Sequence, residues 1–134
     1  MSDEPFIRRI EDCPIEKWET SEGEIVRWWT LISGDRTPSE GLTVGLAEIA
    51  VDAVIPKNGH LHEENEIYYI LEGEGTLHRP SGKTRVSKGD TVYIPGGTEH
   101  YVTNTGEQAL QLLYIFDTDA FSDVEYIRNF PDQE

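Results

Sequence analysis

The chain has 134 residues with a single cysteine, and its 26 aspartates and glutamates outnumber 11 lysines and arginines to give a formal net charge of -15 at pH 7. That length fits one domain, which at this size buries about two-thirds of the surface of its unfolded chain, and the lone Cys13 excludes an intrachain disulfide. The acidic balance repels phosphate backbones and anionic lipid surfaces, so neither a nucleic acid nor a membrane is expected as a partner.

The opening residues, Met1-Ser2-Asp3-Glu4-Pro5, carry neither a basic region nor an apolar leader. No run approaches the roughly 18 apolar residues of a membrane span, and a cytoplasmic protein is expected. Residues 1–23 mix charges with scattered apolar residues in no sustained period and predict a partly ordered N-terminal arm. From Gly23 onward the run Ile25-Val26-Arg27-Trp28-Trp29-Thr30-Leu31-Ile32 is rich in β-branched and aromatic residues and predicts a strand. Alternation puts Val26, Trp28 and Thr30 on one face; Trp28 serves there either as core packing or as an apolar wall of a ligand pocket. After a polar loop at 35–41, Leu42 to Ile55 reads as one long strand, interrupted near Asp52.

The densest chemistry lies in Gly59-His60-Leu61-His62-Glu63-Glu64-Asn65-Glu66-Ile67-Tyr68. On a helix His60 and His62 would point about 200° apart, whereas on a strand they share a face, so the pair predicts a strand and a shared metal ion. A straight strand would carry Glu66 roughly 13 Å past His62, too far to join an ion bonded at about 2 Å. The chain must therefore turn back at Glu63-Glu64-Asn65, and a hairpin is expected to set Glu66 opposite His62. Tyr68 follows on the face of Glu66, where its phenol is either a candidate base or a buried aromatic; Tyr69 points away.

Further strands are predicted at Glu66–Leu71, at Thr76–Arg79 and Thr84–Val86 as a hairpin, at Thr91–Ile94, at His100–Asn104 and at Ala109–Phe116, separated by Gly and Pro turns. Many short strands without a sustained helical period make the fold all-β, a double-sheet jelly-roll barrel with a cavity inside. His78 falls in the hairpin and is read as structural.

Two spaced patterns stand out: His-x-His-x3-Glu-x6-Gly, running from His60 to Gly73, and Gly-x5-Pro-x-Gly-x2-His-x3-Asn, running from Gly89 to Asn104. Together they resemble the two motifs of the cupin superfamily at full spacing. The resemblance implies a single cupin barrel over 24–126, between an arm at 1–23 and a tail at 127–134, with metal ligands His60, His62, Glu66 and His100. Three imidazoles and a carboxylate suit a divalent transition metal, whether Fe, Ni, Mn, Zn or Co.

More narrowly, Val26-Arg27-Trp28, the segment 41–50, Glu66-Ile67-Tyr68 and Phe121-Ser122-Asp123-Val124-Glu125-Tyr126 resemble the short single-cupin dimethylsulfoniopropionate lyases. This implies a metal-dependent carbon–sulfur lyase acting on a small carboxylate, with Tyr68 as base and Tyr126 assisting; Trp28, as a wall of the pocket, is the candidate substrate-binding residue. An iron-dependent dioxygenase, a sugar isomerase and a non-catalytic ligand-binding cupin are the alternatives. A homodimer is expected, residues 1–32 lending an arm or strand to the partner, because Phe6, Ile7, Trp18, Trp28 and Trp29 are much apolar surface for one small barrel.

Overall fold

A computed structural model describes residues 4–53 and 59–128. Eleven strands occur among them: β1 (Glu16–Thr20), β2 (Gly23–Ile32), β3 (Thr43–Ile49), β4 (His60–Leu61), β5 (Glu66–Glu72), β6 (Glu74–Arg79), β7 (Gly82–Ser87), β8 (Thr91–Ile94), β9 (Tyr101–Asn104), β10 (Leu110–Phe116) and β11 (Ile127–Arg128). Short 3-10 turns at Ile10–Asp12 and Phe121–Asp123 are the helical elements described. No helix among the described residues is long and apolar enough to cross a membrane.

The strands form a six-stranded sheet in the order β1-β2-β3-β10-β5-β8, a three-stranded sheet β7-β6-β9 and a two-stranded pair β11-β4. Every ladder is antiparallel, and the architecture is the all-β jelly roll expected from the sequence. Alternation decides which side chains enter the core. Along β3 and β10, buried and half-buried residues alternate from end to end. Ala47, Leu112 and Ile70 stand side by side across the ladders on the inner face, with Phe116, Leu110 and Ile70 fully enclosed. Full burial of such side chains contributes about 1.5–3 kcal/mol each, which supports a fold that does not rest on an ion.

Gly45 lies opposite Tyr114 in the β3–β10 ladder, and a Cβ there would overlap the Tyr114 ring. The missing side chain lets that phenol lie across the sheet.

Three local outcomes differ from the sequence reading. The stretch read as an arm contains β1, which pairs with β2 of the same chain from Glu16↔Trp28 to Thr20↔Gly23. Its apolar content, one tryptophan among charged residues, is too sparse to show a period, and pairing with β2 supplies the order. The long strand expected over Leu42–Ile55 runs only over Thr43–Ile49 and gives way to a turn in which the Ala53 N–H donates to the Ala50 carbonyl; residues 54 and 55 of that expectation lie outside the described residues. Finally, the two halves of the His60–Glu66 stretch are not a paired hairpin. β4 pairs with β11, and His60 bridges His100, while β5 pairs with β10 and β8. Short β4 has a better partner in a distant strand than in its own continuation.

Candidate metal centre

Backbone pairing first sets the two motifs side by side. The His60 N–H donates to the His100 carbonyl at 3.1 Å and the His100 N–H donates back to His60 at 2.9 Å. This reciprocal bridge places the imidazoles edge to face, with ring centroids 4.5 Å apart. His62 lies beyond the end of β4, its ring 5.1 Å from His100 and 5.0 Å from Phe116. Ligating nitrogens of His60, His62 and His100 all fall within 4.8 Å of one another.

Glu66 joins them from the start of β5. Its Oε1 lies 3.0 Å from His62 Nε2 and 3.3 Å from His100 Nε2, and all three side chains are buried. The groups expected to meet are therefore adjacent, but by another backbone route, since the turn at 63–65 delivers Glu66 without a ladder to His62.

Tautomers decide what this cluster needs. His62 Nδ1 sits 3.0 Å from the Glu64 carbonyl and His100 Nδ1 2.8 Å from the Thr98 carbonyl. A carbonyl only accepts, so each Nδ1 carries the proton and each Nε2 of the neutral ring turns a lone pair toward the Glu66 carboxylate. His100 Nε2 is buried without a hydrogen-bond partner despite its proximity to Glu66. Acceptors facing acceptors in a buried site require a shared positive charge. Without an ion a proton supplies it: burial opposes an imidazolium at His62, but the Glu66 carboxylate and the Glu64 carbonyl outweigh that and raise its pKa. A transition metal fits the same space, with outer-ring N–H groups already anchored to backbone.

The centre opens on a cavity of about 680 Å³. His60, Glu66, Tyr68 and Tyr126 line it, and Trp18, Trp28, Tyr114 and Phe121 are among its other lining residues. Tyr126 arrives from the C-terminal segment just before β11 and stands edge-on to both His60 and His62, at 4.9 and 5.5 Å between centroids. Tyr68 is buried with its ring 6.2 Å from His100. Burial first, then the Glu66 carboxylate and Tyr126, push its phenol well above its ordinary pKa in the metal-free chain. Trp28 packs edge-to-face with Phe121 at 6.0 Å.

The sequence reading missed Lys17 and Trp18 as lining residues, because they belong to β1 in the presumed arm. A signal was present: Glu16 and Trp18 alternate as a strand would place them, and both register against residues of the inward face of β2. His78, expected to be structural, hydrogen-bonds Thr103 Oγ1 through Nε2 at 2.9 Å and stacks on Tyr101. Burial and Lys83 lower its pKa.

Comparison with known proteins agrees with this geometry. A family model described as the cupin domain matches residues 45–116. An uncharacterised protein of Methanocaldococcus jannaschii is 33% identical over 112 residues, spanning 80% of this chain and 83% of that protein. Dimethylsulfoniopropionate lyase DddW of Ruegeria pomeroyi is 33% identical over 101 residues, 75% of this chain. The match spans only 64% of the lyase's own length. Among solved structures, a predicted oxalate decarboxylase from Thermotoga maritima superposes with a TM-score of 0.64 at 23% identity, covering 84% of this chain and 99% of that one, which is a likeness of fold.

Proposed function

This chain belongs to the cupin family, and from that premise we propose that it is a metal-dependent lyase that eliminates a thioether from a small carboxylate, as in the conversion of dimethylsulfoniopropionate to acrylate and dimethyl sulfide. One observation carries the reading: Tyr68 and Tyr126 converge with His60 and Glu66 on a single cavity whose other walls are mostly aliphatic and aromatic. The 33% identity to a dimethylsulfoniopropionate lyase supports it.

His60, His62, Glu66 and His100 would hold a divalent transition ion, which when bound supplies Lewis-acid polarisation of the substrate carboxylate and a positive charge offsetting Glu66 beside Tyr68. The residues do the rest. Tyr68 Oη, as phenolate, takes the proton from the carbon next to the carboxylate. The freed electron pair forms the carbon–carbon double bond, and the C–S bond breaks with its pair leaving on dimethyl sulfide. Tyr126, against His60 and His62, orients the substrate. Trp28, with Trp18 and Phe121, offers aromatic surface to a sulfonium cation, whose charge without N–H donors suits a ring face better than a carboxylate.

Metal analysis of the purified protein, followed by anaerobic incubation with dimethylsulfoniopropionate, tests the proposal. Acrylate and dimethyl sulfide formed without oxygen are expected. Oxygen consumption would replace the lyase with a dioxygenase, and binding without turnover would make the protein a ligand-binding cupin.

A homodimer belongs to the same reading. On the outer face of the six-stranded sheet, Trp29, Leu46, Leu113 and Tyr69 form one transverse row, and Ile32, Val44, Ile115, Ile67 and Tyr93 a second. Neither row carries a charge, and Tyr69 and Tyr93 remain 40% and 61% exposed. Two strongly acidic chains meet with least repulsion over such a surface. A monomeric mass by light scattering at physiological salt would remove the dimer.

A further inference from the structure

Asn65 separates the two halves of the first motif, three residues after His62 and one before Glu66, and all of its hydrogen-bonding groups except the backbone carbonyl are accounted for in one place. Its backbone N–H donates to Asp117 Oδ1 at 3.1 Å and its side-chain Nδ2 donates to Asp117 Oδ2 at 2.9 Å. Its Oδ1 accepts the Gly96 N–H at 2.8 Å. Asp117 directly follows Phe116, the ladder partner of Glu66. Gly96 lies in the loop that leads from β8 to His100, and the next N–H of that loop, on Gly97, donates to the His62 carbonyl at 2.7 Å. A Cβ at Gly96 would overlap the Glu63 carbonyl oxygen, so the two loops touch backbone to backbone.

These contacts join three segments that are distant in sequence, and each segment ends in a metal-site residue or its immediate support. We infer that Asn65, clamped by Asp117, is a positioning residue that sets Glu66 and His62 against His100 and thereby tunes the affinity of the site for its ion; this rests on the metal-site reading above. The clamp lies on the solvent side, where such bonds add little to global stability. Its effect falls on geometry, because a ligand set held a few tenths of an ångström from its productive arrangement binds more weakly.

The chemistry supplies a test by polarity reversal. Asn65→Asp turns the Nδ2 donor into a carboxylate oxygen facing Asp117, so the clamp opens by repulsion. Adding Asp117→Asn restores it: the new carboxylate accepts from the Asn side chain at 117 and still accepts from the Gly96 N–H, and the backbone N–H of residue 65 finds the amide oxygen. Zn²⁺ affinity is measured by competition with a chelator for the wild type, Asn65→Ala, Asn65→Asp and the double variant, alongside the melting temperature of each metal-free protein.

A loss of about 10–100-fold in Asn65→Asp is expected, with most of it recovered in the double variant and the metal-free melting temperatures nearly equal. Unchanged affinity in both single variants, or a double variant no better than Asn65→Asp, would overturn the inference. A lowered metal-free melting temperature with undiminished affinity would reduce Asn65 to a structural residue and overturn it as well. Should Asn65→Asp fail to fold, Asn65→Ala decides. Failure of the wild type to bind Zn²⁺ would instead strike down the metal reading itself, and the inference with it.

Discussion

His62 and Glu66 meet across a turn with Nε2 of the first 3.0 Å from Oε1 of the second, both side chains buried, while the opposite nitrogen of His62 faces the Glu64 carbonyl. The contact holds only with a proton or a cation between the two atoms. Glu66→Gln replaces one acceptor by an amide donor that satisfies the His62 lone pair directly. The metal-free variant should melt no lower than the wild type, while its affinity for a divalent ion falls by more than the roughly 10–100-fold typical of an outer-shell loss. Calorimetry of the metal-free protein with a competition titration checks both halves.

Tyr68 is distinguished from the other aromatic residues of the cavity by the chemistry assigned to it. Tyr68→Phe should keep metal and fold and lower kcat by about 10²–10⁴-fold, the usual contribution of a positioned base. Tyr126→Phe should lower it less. The wild-type rate on a confirmed substrate should rise with pH as the phenol ionises, and that limb should be absent from the Tyr68→Phe profile. Equal rates for wild type and Tyr68→Phe would leave Tyr68 as packing.

Gly45 has its prediction in the Tyr114 ring that covers it. Gly45→Ala must displace the Tyr114 ring, and overpacking of this kind destabilises by about 1–3 kcal/mol. Denaturant unfolding should show a lower midpoint, and Tyr114→Phe should rescue little of it because the ring carbons clash as well as the hydroxyl.

Glu16 ties β1 to the barrel. Its carboxylate accepts from Arg36 Nη1 at 2.7 Å and from the hydroxyl of fully buried Thr30 at 2.8 Å. The Arg36 hydrogen bond lowers the Glu16 pKa below its ordinary 4.5 against the opposing effect of burial, with Thr30 assisting. A carboxylate depressed in the folded state adds stability above its unfolded pKa and loses it as pH falls through the folded value. The wild type should therefore exceed Glu16→Gln by a constant amount above about pH 5, about 1 kcal/mol or less after solvent screening, with the gap closing below pH 4.5. Chemical denaturation at a series of pH values checks it; a gap that persists unchanged into acid would mean that the carboxylate charge contributes nothing.

What the sequence determined by itself was the gathering of metal-ligand types in two short stretches and most of the strands, β1 and β11 excepted. Alternation along Thr43–Ile49 and Leu110–Phe116 dictates which residues face inward, because successive side chains on a strand point to opposite faces. The spacing of His60, His62 and Glu66 likewise forces a turn before the glutamate. Only the tertiary structure decided which strands pair. That β4 takes β11 and His100 as partners, that Tyr126 consequently stands over His60, and that β1 closes on β2 to bring Trp18 to the cavity are outcomes of contacts between residues up to 68 positions apart. Local pattern can specify a face; it carries no record of the partner, because pairing is chosen by the packing of the whole barrel.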